Sequence, residues 1–136
     1  MQRPDHIVIQ AAGRCLTLLE DQGQLDNTMV IYTSDNGYLW GEHRLTAKSV
    51  PYEESIRVPL GIRYPALIPS RVVYDQLVGN IDIAPTMLDI ANLPIPTSMD
   101  GRSLLGIFDG SATWRDDILL EGDRVAGVDE VSINEE

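Results

Sequence analysis

Apolar residues near the start of the chain recur with the period of a helix. Val8, Ala12, Cys15 or Leu16, and Leu19 fall on one stripe, while Gln10, Arg14, Glu20 and Asp21 lie off it. This spacing predicts an amphipathic helix over Asp5–Asp21. Pro4 suits its N-terminus and Gly23 its end. After a short connection, Gln24–Thr28, the pattern changes to an unbroken apolar run, Met29–Thr33, read as a buried strand. A helix, a short loop and an uninterrupted apolar strand are the grammar of an α/β unit with a parallel strand. Arg57–Tyr64 reads as a second strand, which Pro59 makes an edge or irregular one. Pro65–Ser70 is a turn and Val72–Val78 a short apolar piece. Ile81–Ala91 carries Ile83, Met87, Leu88 and Ile90 at helical spacing, with Asp82 or Asn80 as cap and Pro85 tolerated in the first turn. Asn92–Thr97 is a loop. Asp100–Ser103 turns into a short apolar segment ending near Phe108, and Asp117–Glu121 reads as a last strand. The acidic stretch 122–136 is expected to be weakly ordered.

At 136 residues and 15.1 kDa there is room for one domain with a single core. A formal net charge of −11 argues against nucleic acid or an anionic membrane as partner, because the summed field repels phosphates. A bound cation can invert that field locally, so an anionic substrate stays compatible with the charge. The single cysteine, Cys15, excludes an internal disulfide and a Cys-rich zinc site. Met1 opens no leader with an apolar core and cleavage site, and no apolar run reaches the roughly 20 residues that span a bilayer.

The candidate chemistry is concentrated where the first strand ends. Ser34-Asp35-Asn36-Gly37 sets a carboxylate beside a carboxamide, and open α/β sheets place ligands beyond the carboxyl ends of their strands. Hard divalent cations want oxygen donors, whereas zinc prefers Cys, His and carboxylate, so Asp-Asn favours a calcium-type ion. On composition alone these four residues are also an ordinary turn. Lys48 offers a compact positive charge for an anionic group. His43 offers a proton donor for a leaving oxygen. A solvated lysine and a loop histidine bonded to nearby backbone are the alternatives. Arg57 pairs with Glu53 across one helical turn or holds the loop onto the sheet. Tyr52, Glu53 and Glu54 read as structural, and Trp40 either lines a pocket mouth or packs.

Taken together, Thr-Ser-Asp-Asn-Gly (33–37), Gly-Glu-His (41–43), Lys48 and Pro-Tyr-Glu-Glu-Ser-Ile-Arg-Val-Pro-Leu (51–60) closely resemble the sulfatase family of the alkaline phosphatase superfamily. So do the end of the first helix, the segment Asn80–Ala91 and the turn Asp100–Leu105. Trp114-Arg115 and Leu119–Gly122 look most like the N-acetylglucosamine-6-sulfatase and related arylsulfatase members. The resemblance implies an α/β fold: a partial alkaline-phosphatase-like sandwich, a mixed sheet with flanking helices, lacking its N-terminal strands. Residues 1–121 would be the C-terminal portion of a sulfatase catalytic domain. It also implies hydrolysis of aryl or carbohydrate sulfate esters in a complete protein. Asp35 and Asn36 would be ligands of one Ca²⁺ shared with residues outside this chain, Lys48 would bind sulfate, and His43 would act on the substrate side or as an acid. Two-zinc relatives of the fold carry Asp-His where this chain has Asp-Asn.

Complete members use a formylglycine nucleophile, made in a Cys/Ser-x-Pro-x-Arg motif. Cys15, followed by Leu-Thr-Leu-Leu, does not match it and is read as a core thiol. The chain is therefore expected to be a fragment or one piece of a split gene. Its expected partners are a sulfated small molecule or glycan, and either a missing N-terminal segment or a second copy of itself. The family is often secreted, periplasmic or lysosomal. A phosphomonoester or phosphonate hydrolase of the same superfamily is the rival enzyme. A non-catalytic remnant or interaction module is the rival of another class.

Overall fold

The computed structural model describes residues 4–46, 48 and 50–121, the side chains of residues 4–7 excepted. Helix α1 (Pro4–Asp21) forms nearly where the periodicity puts it. Its end is a left-handed cap. Gly23 takes φ +66°, its N–H reaches the Glu20 carbonyl at 2.9 Å, and the Gln24 N–H reaches the Leu19 carbonyl at 2.8 Å. A side chain with a Cβ is strained at that φ, which explains the glycine. A 3₁₀ turn, Leu25–Asn27, then leads into strand β1 (Val30–Tyr32), which pairs with β2 (Gly61–Arg63) in a two-stranded sheet.

The chain divides into two compact units. Among the described residues, one comprises those up to Ile31 together with Ile62–Val72, and the other those of Tyr32–Gly61 and from Val73 on. In the first, Arg63 is the tie. Its guanidinium donates to the Leu25 carbonyl and to Asp26 Oδ1, each at 2.7 Å, fixing the strand to the turn that precedes β1. In the second, the elements are the 3₁₀ turn Glu42–Arg44, α2 (Glu53–Ile56), the 3₁₀ turn Asn80–Asp82, α3 (Ile83–Ile90) and α4 (Leu105–Phe108). Among its described residues the buried apolar side chains are Leu39, Pro85, Leu104 and Ile107.

Asp82, with no exposed surface, is the polar centre of this unit. Its carboxylate accepts from the N–H of Gly79 at 2.9 Å and of Arg102 at 2.8 Å, and it pairs with the Arg115 guanidinium. The first bond caps the 3₁₀ turn Asn80–Asp82 from its N3 position, whereas Asp82 at the N-cap of α3 makes no side-chain bond to that helix. Arg115 Nε and Trp114 Nε1 both donate to the Leu77 carbonyl, at 3.2 and 2.7 Å. Thr86, also buried, donates to the Asp82 carbonyl at 2.6 Å and accepts the Leu104 N–H at 2.9 Å, docking α4 onto α3. Pro85 sits buried in the first turn of α3, where its missing N–H leaves no helical bond unmade.

Several expectations need correction. Strand β1 is three residues long and not buried, Tyr32 being 57% exposed. A strand is buried only when other layers cover both faces, and β1 and β2 are the only strands among the described residues. The expected mixed sheet is, over these residues, a single strand pair. The second strand shrinks because the Arg57 N–H is spent on the Glu53 carbonyl at 2.8 Å and Pro59 has none to give. Asp117–Glu121 forms no ladder; the bonds to Leu77 come from Trp114 and Arg115, just ahead of it. Cys15 is exposed rather than a core thiol, because the α1 stripe is only half-buried, at Ala11, Leu16 and Leu19. The tail 122–136 lies outside the described residues.

Candidate functional site

All four residues singled out by the sequence, Asp35, Asn36, His43 and Lys48, fall in the second unit. The turn that follows β1 is held by its own side chains. Asp35 Oδ1 accepts the Asn36 N–H at 2.9 Å and the Ser34 hydroxyl at 3.3 Å. Asn36 Nδ2 donates to the Gly37 carbonyl at 2.7 Å, and Ser34 Oγ to the Asn36 carbonyl at 2.8 Å. This is the short-range bonding that makes Ser, Asp and Asn turn residues. It also sorts their oxygens. Among the described residues, Asp35 Oδ2 and Asn36 Oδ1 accept no hydrogen bond, so one charged and one neutral oxygen remain for an outside partner.

Two further residues fix the turn from outside. Asn80 reaches back some 45 residues, its Nδ2 donating to the carbonyls of Ser34 at 3.1 Å and Asp35 at 3.2 Å. Ser55, on α2 and 3% exposed, accepts the Gly37 N–H on its carbonyl at 2.8 Å and donates its hydroxyl to the Lys48 carbonyl. The Asp-Asn-Gly turn and the Lys48 loop are thereby anchored on one buried serine. Gly37 is required for this approach, since a Cβ there would lie 2.1 Å from the Glu54 carbonyl oxygen.

Lys48 itself is exposed, with its carbonyl also accepting the Val50 N–H at 3.0 Å. His43 is more constrained. Its ring stacks on Tyr52 with centroids 3.9 Å apart and planes 12° from parallel, and Nε2 lies 3.4 Å from Glu54 Oε2. Its backbone is left-handed, at φ 55°. Tyr52 and Glu54 thus hold the histidine. Arg57 makes the exposed pair with Glu53 at 3.5 Å. Trp40 is 81% exposed and packs at 4.9 Å on Tyr38. Its N–H donates to Glu42 Oε2 at 2.6 Å. The Glu42 backbone N–H, and after it this bond from Trp40, hold the Glu42 carboxyl below its ordinary range, with His43 adding a smaller favourable field.

Among the described residues no three His, Cys, Asp or Glu side chains gather to hold an ion. The share of a cation shell this chain offers is the pair Asp35 and Asn36. That donor set fits a hard cation that takes about 6 to 8 oxygens, most of them supplied elsewhere. Sequence reasoning assigns no role to Ser55 and weighs Asn80 only as a helix cap. A small hydroxyl residue inside the otherwise bulky Tyr-Glu-Glu-Ser-Ile-Arg run was the available signal.

The family model for the C-terminal part of N-sulphoglucosamine sulphohydrolase matches residues 41–131. The human N-acetylglucosamine-6-sulfatase is 48% identical over 107 residues, 76% of this chain and 19% of that protein. A solved structure described as a complex with its substrate D-glucosamine-2-N,6-O-disulfate superposes with a TM-score of 0.71 at 42% identity, covering 76% of this chain and 22% of that one. The phosphonate monoester hydrolase of Silicibacter pomeroyi superposes with a TM-score of 0.70 at 36% identity, covering 76% and 21%. The chain spans 10–25% of the length of the curated relatives it matches.

Proposed function

This chain belongs to the sulfatase family, through its N-sulphoglucosamine sulphohydrolase C-terminal segment, and from that membership we propose that it contributes one wall of a site hydrolysing sulfate esters of carbohydrates. The observation that carries the reading is the anchoring of the Asp35–Asn36–Gly37 turn and the Lys48 loop on Ser55. It gives a pair of oxygens that accept no hydrogen bond among the described residues and a cationic side chain a common support. In this reading Asp35 Oδ2 and Asn36 Oδ1 hold part of a Ca²⁺ shell. When bound, that ion polarises the sulfate oxygens as a Lewis acid. Lys48 neutralises a sulfate oxygen as a point charge. His43, its ring held by Tyr52 and Glu54, is the substrate-side donor. The formylglycine nucleophile of the family is a contribution from outside these residues; Cys15, exposed on α1, has none of its sequence context. The complete domain would extend the β1–β2 pair into the sandwich that the resemblance implies. A glucosamine-type sulfate is the substrate class favoured by the names of the matched relatives.

The test is made in the full-length protein, on a glucosamine 6-O-sulfate. Asp35→Ala and Lys48→Ala should each lower turnover by about a hundredfold, the scale of removing one group that stabilises developing charge. Unchanged turnover in both variants would remove the site assignment. The similarity to a phosphonate monoester hydrolase supports one rival, hydrolysis of a phosphonate or phosphate monoester by the same site. Paired assays on aryl sulfate and aryl phosphonate separate the two.

A further inference from the structure

We propose that Ser55 is a positioning residue for the sulfate-binding lysine, and that it acts on Lys48 separately from the Asp35–Asn36 turn. The inference rests on the reading of Lys48 given above. Ser55 is 3% exposed and uses two different groups on two different segments. Its carbonyl accepts the Gly37 N–H at 2.8 Å, a backbone bond that any residue at this position can make. Its hydroxyl donates to the Lys48 carbonyl, a bond that only a side-chain donor can make. The hydroxyl bond spans seven residues across a loop that leaves the Lys48 side chain exposed. Apart from the local Val50 N–H at 3.0 Å, it is the hydrogen bond among the described residues that holds this carbonyl. Replacing the serine by alanine therefore cuts the tie to the lysine and leaves the tie to the turn. At 3% exposure the serine offers almost no surface to a ligand, so its effect passes through where Lys48 is held.

That separation gives an experiment in which a general structural role and a positioning role differ. In the full-length protein, inhibition by inorganic sulfate reads the lysine, and calorimetric titration with Ca²⁺ reads the turn. Ser55→Ala should weaken sulfate inhibition about five- to tenfold, the worth of one buried hydrogen bond, and change Ca²⁺ affinity by less than about twofold. Lys48→Ala should weaken sulfate inhibition at least as much, and the double variant should be no weaker than Lys48→Ala alone, because the two changes remove one interaction. Should Ser55→Ala not fold, as a circular-dichroism melt would tell, Ser55→Cys fills the same space with a poor donor and is expected to show the same split in smaller measure. Equal loss of sulfate and Ca²⁺ binding would make Ser55 merely structural and overturn the proposal. So would a normal response to sulfate in Ser55→Ala alongside a weakened one in Lys48→Ala, which leaves the reading of Lys48 standing. A normal response in both would overturn the reading of Lys48 itself, and this inference with it.

Discussion

Replacing Asp82 by alanine removes three acceptor contacts at once: those to the Gly79 and Arg102 N–H groups and the pair with Arg115. The side chain of Arg115 is only 9% exposed, so its charge is stranded where water reaches it poorly. Breaking a buried ion pair from one side costs about 3–5 kcal/mol, because the partner's charge is left uncompensated. Arg115 keeps one bond, Nε to the Leu77 carbonyl at 3.2 Å, which argues for the lower half of that range. Two orphaned backbone N–H groups act in the other direction, at about 1 kcal/mol or more each if they stay dry. A loss near 4 kcal/mol is a large part of the roughly 5–15 kcal/mol by which domains are stable. Urea unfolding of the full-length protein followed by tryptophan fluorescence is the assay, since Trp114 is bonded to the same Leu77 carbonyl. Asp82→Asn keeps an acceptor for the Arg102 N–H and should lose about half as much. If Asp82→Ala unfolded within about 1 kcal/mol of the parent, Asp82 would not be the centre of this unit.

Gly37→Ala should disturb the site more than its size suggests, because the new Cβ would lie 2.1 Å from the Glu54 carbonyl oxygen. A cost of about 1–3 kcal/mol and weakened Ca²⁺ binding are expected, and calorimetry showing neither would refute the close packing. Acid should act on the Glu42–Arg44 turn through Glu42. The Glu42 carboxyl is held below its ordinary 4.5 by the backbone N–H groups of Glu42 and Trp40, so its contribution is present above 4.5 and lost as pH falls through the lower folded value. A carbon-detected NMR titration with a Glu42 midpoint at or above 4.5 would contradict that. The 136-residue chain by itself should self-associate, since Val8, Ile9 and Leu18 on α1, and Val73 and Leu119 elsewhere, are between 54% and 84% exposed. Light scattering from a monodisperse monomer would count against it.

What could be read from the sequence were the features set by near neighbours. Helix α1, its glycine cap and the Pro85 first turn depend on residues a few positions apart, and the periodicity and cap rules capture them. The Asp35–Asn36 turn was legible for the same reason, its bonds spanning one or two residues. Strand length was not, because a strand needs a partner in register and cover on its faces, and neither is written in its own residues. The exposure of Cys15 is hidden for a related reason: a helical stripe shows which face is apolar but not whether anything packs against it. Ser55 and Asn80 act across 18 and some 45 residues, by hydrogen bonds to backbone atoms that carry no side-chain signature. Asp82 stood out as a cap, but its pairing with Arg115, 33 residues on, did not.

The hydroxyl bridge from Ser55 to the Lys48 carbonyl closes a loop of fixed length, whatever side chains stand between its two ends. Apart from Tyr52 and Glu54, which hold His43, a substitution between the two ends leaves that length intact, whereas adding or deleting one residue would change it and displace the Lys48 backbone. Anyone regrafting this loop onto another member of the family should therefore conserve the spacing first.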